Sequence, residues 1–145
     1  MDFSAIEADK FFWEAFRQYN DLYTYVNGRI FNPARTMEDE RVDKVPYIII
    51  MHTGATAEAA NKDVMFDDLT NATVEVLVVA TTRQELAAVC MNVMKAVENA
   101  VENGLDAEIG FEVEYISPSV GAVQYDPAKP CMFTSITFNT STKTL

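Results

Sequence analysis

Ala72-Thr73-Val74-Glu75-Val76-Leu77-Val78-Val79-Ala80-Thr81-Thr82-Arg83-Gln84-Glu85-Leu86 decides the fold, because within it the apolar period changes from that of a strand to that of a helix. Ala72 to Ala80 sets Val74, Val76 and Val78 on one side and Thr73, Glu75, Leu77 and Val79 on the other, a strand whose second face is partly apolar. Thr82 and Glu85 then stand at capping-box spacing, where each side chain satisfies an orphan backbone N–H of a first helical turn. Leu86, Val89, Cys90, Val93, Val97 and Val101 hold one helical face until Asn103-Gly104 ends it.

Working upstream, Pro46-Tyr47-Ile48-Ile49-Ile50-Met51 is continuous and β-branched. That suits a strand buried on both faces, with proline tolerated at its start. Ser4 to Val26 repeats Ala5, Phe12, Phe16, Tyr19, Tyr23 and Val26 at helical spacing, with Ile6, Trp13 and Leu22 widening the stripe and Ser4 and Glu7 at capping-box spacing. Asn27-Gly28 supplies a left-handed stop. The short apolar segment Arg29-Ile30-Phe31 and Pro33 follow, then a solvated acid-and-base loop, Met37 to Lys44, and an irregular stretch from Gly54 to Asp68.

Downstream, Glu108 to Ile116 places Ile109, Phe111, Val113 and Tyr115 opposite Glu108, Glu112 and Glu114, the alternation of a half-exposed strand. After the Pro/Gly-punctuated stretch Ser117 to Pro130, Met132 to Asn139 alternates again. The two segments are expected to pair antiparallel. The order α, β, β, β, α, β, β predicts one α+β domain over residues 1–145, a mostly antiparallel or mixed sheet of four to five strands with two helices on one face.

The 145 residues are 49% hydrophobic and 23% charged, ordinary globular values that exclude disorder, collagen and coiled coil. Against 22 acidic residues stand 11 basic ones, a net charge of -11. Nucleic-acid and anionic-lipid binding draw on clustered Lys and Arg, so this balance opposes both. No apolar run approaches the ~20 residues of a membrane helix, and the first residues show no secretory pattern. Cys90 and Cys131 read as small core hydrophobes.

Catalytic and ligand motifs are missing. The single histidine, His52, stands directly after a predicted strand without a nucleophile motif or zinc spacing and reads as an ordinary strand-end residue. Asp63, Asp67 and Asp68 do not form an EF-hand loop, and the five glycines form no phosphate loop. No cofactor or metal is expected. The aromatics Phe11, Phe12, Trp13, Phe16, Tyr19, Tyr23 and Tyr25 cover more than one face of the first helix, which leaves core packing and a subunit interface both open. Candidate interface residues are Trp13 together with Glu38, Asp39, Glu40, Arg41 and Lys44 of the mixed-charge loop.

The ordered pattern Gly28-Arg29-Ile30-Phe31, Pro33, a polar loop, Pro46-Tyr47-Ile48-Ile49-Ile50, Val74-Glu75-Val76, Thr81-Thr82 opening a helix, and a late strand from Phe133 to Phe138 resembles the tail-terminator or tail-completion proteins of long-tailed bacteriophages. It departs from them in the long segment between Gly54 and Asn71 and in the extended Ser117 to Pro130 stretch. The resemblance implies a non-enzymatic virion subunit, assembled in the bacterial host cytoplasm into a homo-oligomeric ring, typically a hexamer. Its partners would be the tail tube protein and the head connector protein. A negative lumen fits such a ring, since it repels passing DNA phosphates. The competing class is a small cytosolic binding module, or an enzyme whose site forms from scattered residues between subunits.

Overall fold

The computed structural model describes residues 2–33, 44–57 and 68–145. A 3-10 turn, Ser4–Glu7, leads into α1 (Ala8–Gln18) and α2 (Asn20–Tyr25). Then come β1 (Ile30–Phe31), β2 (Tyr47–Thr56), β3 (Asn71–Ala80), α3 (Arg83–Glu102), α4 (Asp106–Ile109), β4 (Phe111–Val120), β5 (Gln124–Asp126) and β6 (Cys131–Thr144). The class is α+β, as expected, with a mixed sheet of six strands among the described residues instead of four to five.

The sheet order is β1-β2-β3-β6-β4; among the described strands β1 and β2 pair parallel and the other pairs are antiparallel. β5 continues the line of β4 along β6, taking up pairing at Gln124↔Phe133 after β4 leaves it at Val120↔Ile136. Period-two burial selects one face for the core: Ile48 and Ile50 of β2, Val74, Val76 and Val78 of β3, and Ile136 and Phe138 of β6 are all essentially inaccessible. They join Phe11, Phe12, Phe16 and Leu22 of the first helices and Leu86, Val89 and Val93 of α3 in one cluster. The continuous run in β2 is therefore not buried on both faces. Tyr47, Ile49 and Met51 are only half-buried, their hydrophobicity serving the opposite side of the sheet.

Several expected elements form differently. The Ser4/Glu7 capping box is absent: the Ser4 hydroxyl donates to Thr142 Oγ1 at 2.8 Å, and its backbone N–H is satisfied by Asp2 Oδ1 at 2.9 Å. The N-terminal helix is interrupted at Tyr19, whose ψ of 102° leaves the helical region, and this turn lets α2 pack on α3 while burying Leu22 and Val26 completely. Asn27 and Gly28 take the left-handed stop with φ of 52° and 73°.

The strand expected to start at Glu108 starts instead at Phe111. Asp106–Ile109 closes a single helical turn because Leu105 and Ile109 bury their side chains from it, and Gly110 at φ 88° redirects the chain. A bulge between Val113 and Tyr115 then switches the register, so Tyr115 lies 60% exposed and not on the apolar side. The Ser117–Pro130 loop shrinks to a few residues, since Ser117–Val120 belongs to β4 and Gln124–Asp126 is β5. Gly54 to Thr56 extends β2, while residues 58–67 of the stretch expected to be irregular lie outside the described residues. β3 and α3 form as read, and Thr82 Oγ1 accepts from Glu85 N at 3.1 Å while Glu85 Oε1 accepts from Thr81 N at 2.9 Å. Val101, however, is 55% exposed and lies off the buried face of α3.

Candidate functional site

The candidate interface residues divide by position. Glu38, Asp39, Glu40 and Arg41 lie outside the described residues. Lys44 is exposed immediately ahead of β2. The chain there is held by Arg29, whose Nε donates to the Pro46 carbonyl at 3.0 Å and whose Nη2 donates to the Val45 carbonyl at 3.2 Å. Arg29 thus spends its fork on backbone, locking the turn into β2 against the chain entering β1.

Trp13 is 9% exposed and belongs to the core, with the Arg17 guanidinium 4.9 Å from its ring centroid. What this corner shows outward is the cation. Phe11, Phe12 and Phe16 are fully buried, so the core takes most of the first helix's aromatics, and Tyr23 and Tyr25 of α2 are the ones left 42% exposed. Tyr23 belonged by its spacing to the same stripe as Phe12 and Phe16; the break at Tyr19 is what separates it from them.

His52 lies inside β2 and not beyond its end. Its Nε2 is 2.8 Å from the Ala5 carbonyl, which ties the 3-10 turn to the sheet. It borders a cleft of about 460 Å³ lined also by Ile6, Glu7, Asp9, Asn32 and Met51. Within it Asn32 Nδ2 donates to Asp9 Oδ2 at 2.8 Å, both residues being buried. A carboxylate held by an amide and an imidazole held by a carbonyl are structural ties, and among the described residues no hydroxyl or thiol nucleophile lines the cleft beside them.

Asp2 was not singled out in the sequence. Its carboxylate accepts from Ser4 N, Thr144 N (3.0 Å) and Thr144 Oγ1 (2.8 Å), joining the first residues to the last strand. Burial pushes its pKa up, but these hydrogen bonds outweigh it and hold the group well below the usual carboxylate range. The Asp2 backbone N–H donates in turn to Asp68 Oδ1 at 2.7 Å, so Asp68 serves this clasp. Asp63 and Asp67 lie outside the described residues. Among the described residues no group of three His, Cys, Asp or Glu is arranged to hold a metal ion, and no helix is long and apolar enough to cross a membrane.

No family model matches this sequence, and no curated protein does. Solved structures are similar, two of them as follows. One is a chain of the virion of a native gene transfer agent particle, 10% identical, with a TM-score of 0.54 over 91% of this chain and 91% of that one. The other is the gp17 protein of bacteriophage SPP1, 18% identical, with a TM-score of 0.48 over 95% of this chain and 88% of that one. The first likeness shows a shared fold along nearly the full length of both chains.

Proposed function

We propose that this chain is a structural virion protein, a tail terminator or completion subunit that forms a ring, typically a hexamer, capping a phage tail tube and joining it to the head connector. The observation that carries the reading is the shared fold with a virion chain over 91% of both chains. The order of motifs from Gly28 to Phe138 supports the same assignment. The chain acts as one domain without catalysis or cofactor, in the virion, after assembly in the host cytoplasm.

The physical properties suit that work. A net charge of -11 per subunit gives a ring a negative lumen that passes DNA without adhesion. The same charge makes subunits repel, so association needs buried apolar surface as well as ion pairs between Arg41 or Lys44 and a neighbour's carboxylates. Such pairs set registration more than affinity. Trp13 takes part through the Arg17 side chain that covers it, as the rigid support beneath a cation.

The test is light scattering across concentration, together with electron microscopy of tail tubes incubated with the protein. Discrete rings, or tubes whose ends are capped and stop growing, are expected; a symmetric tube end also raises the effective concentration of neighbouring sites. A strict monomer that leaves tubes uncapped sinks the proposal.

A further inference from the structure

The helical layer stops short of one sheet edge. Between the second half of α3 and β4 lies an open groove of about 340 Å³ whose walls are Met94, Val97, Val101, Ile116 and Pro118, with Phe138 at its floor. Val101 is 55% exposed there, and Val120, the next residue of β4 on the same side of the sheet, is 57% exposed. Glu98 and Glu102 form the rim.

We propose that this groove receives an apolar segment bearing Lys or Arg from a different virion protein. The inference rests on the reading of the chain as an assembly subunit only in that the occupant is another protein. Charge selects the occupant. From Ala96 to Ala128 the chain carries seven carboxylates and no Lys or Arg, so the stretch from the last turns of α3 into β4 is acidic, with Lys143 of β6 standing opposite Glu112 at the start of β4. Glu98 and Glu102 stand in the last turns of α3, where the helix dipole is already negative, and no basic residue accompanies them in the final turn. That arrangement costs helix stability, and local conflicts of this kind mark functional surfaces. A cation flanking an inserted apolar side chain resolves the conflict and covers Val101.

A second copy of this chain fits the groove less well. Each copy brings a net charge of -11, so a second copy meets the acidic rim with net repulsion. Strand addition to the outer edge of β4 is blocked by devices that protect edges: Pro118 lacks an N–H, a bulge interrupts Val113/Tyr115, and Glu112 and Glu114 line the strand. The groove above the strand remains, a surface for insertion of helix-borne or loop-borne side chains.

The probe is a fluorescent amphipathic peptide of Leu and Lys at helical spacing, with a Leu/Glu peptide of the same pattern as control, titrated against the full chain by anisotropy. The Leu/Lys peptide should bind and the Leu/Glu peptide should not. Val101→Asn should weaken binding by about tenfold, the scale of a central interface anchor. Glu98→Gln with Glu102→Gln should weaken it and flatten its salt dependence, while Ile6→Asn, at an exposed apolar residue of the 3-10 turn, should leave it unchanged. Failure to bind, or equal binding by all variants, overturns the proposal; so does a fall in oligomer size on Val101→Asn, which would make a second copy the occupant. Loss of ring formation in the wild type would instead count against the ring reading, leaving the peptide result to stand on its own.

Discussion

Phe12 of α1 lies on Phe138 of β6 with ring centroids 4.8 Å apart and planes inclined by 35°, joining residues from opposite ends of the chain. Phe11 meets the edge of Phe12 at 5.3 Å, and Phe16 stands 6.1 Å beyond it. All four rings are buried, so the N-terminal helix and the last strand share one aromatic centre. Such pairs add about 0.5–1.5 kcal/mol beyond the area they bury.

Phe12→Ala should therefore cost about 3–5 kcal/mol, the range for removing a buried phenyl ring. Urea unfolding is the measurement, with the denaturant dependence expected to stay close to wild type. A loss under about 1 kcal/mol would mean that the site collapses freely and that the ring contact does not organise the core.

Along α3 the expected effects split by face. Leu86 is 2% exposed, and Leu86→Ala should cost about 2–5 kcal/mol. Glu98 is solvent-exposed, and Glu98→Ala should change stability by less than about 0.5 kcal/mol. Thr82→Ala, which removes the cap acceptor for Glu85 N, should cost about 1 kcal/mol. Equal losses from Leu86→Ala and Glu98→Ala in thermal melts would show that the helix is turned the other way.

What the sequence made legible follows from how local each signal is. β3 and α3 carry strict periods over many residues and a cap that closes within four, so their pattern needs no distant partner to be interpreted. The Ser4/Glu7 pattern looked equally local but lost to a long-range alternative, because Thr142 offers the Ser4 hydroxyl a buried partner 138 residues away. α4 and the β4 bulge share the difficulty: period-two alternation through Ile109, Phe111 and Val113 is satisfied as well by one helical turn followed by a strand. Of the candidate interface, only Trp13 and Lys44 fall on described residues, and Trp13 shows how a helix with aromatics on more than one face can bury nearly all of them when it is flanked by both sheet and α3. The α3–β4 groove was invisible because its two walls come from separate elements brought together only by the sheet order.

Cys90 is half-buried on α3 and Cys131 buried at the start of β6, both as free thiols. Burial pushes the Cys90 thiol up, so little of it is thiolate near neutral pH and alkylation should be slow without denaturant. Replacing both by Ala should leave a folded protein that still assembles. A disulfide found by mass spectrometry after alkylation before lysis, or loss of assembly in the double variant, would contradict this.

The Asp2 clasp predicts an acid-dependent stability with a definite sign. Its folded carboxyl titrates below the unfolded value of about 3.9, so its contribution is present above that pH and is lost as the pH falls toward the folded value. Asp2→Asn keeps the shape but removes the charge that Thr144 N, Thr144 Oγ1 and Ser4 N donate to. Its urea midpoint should lie below wild type at pH 6, and the gap should narrow steadily as the pH is lowered through about 4 and beyond. Asp106 supplies the opposite case. Burial and then the charge of Glu112 push its carboxyl up, against a hydrogen bond from Val113 N, so its ionised form is a liability at neutral pH. Asp106→Asn should therefore raise the midpoint at pH 7 and lose that advantage in acid, where the wild-type group is protonated. A gap between wild type and Asp2→Asn that stays constant from pH 6 to pH 3 would show that the clasp works through shape alone and not through its charge.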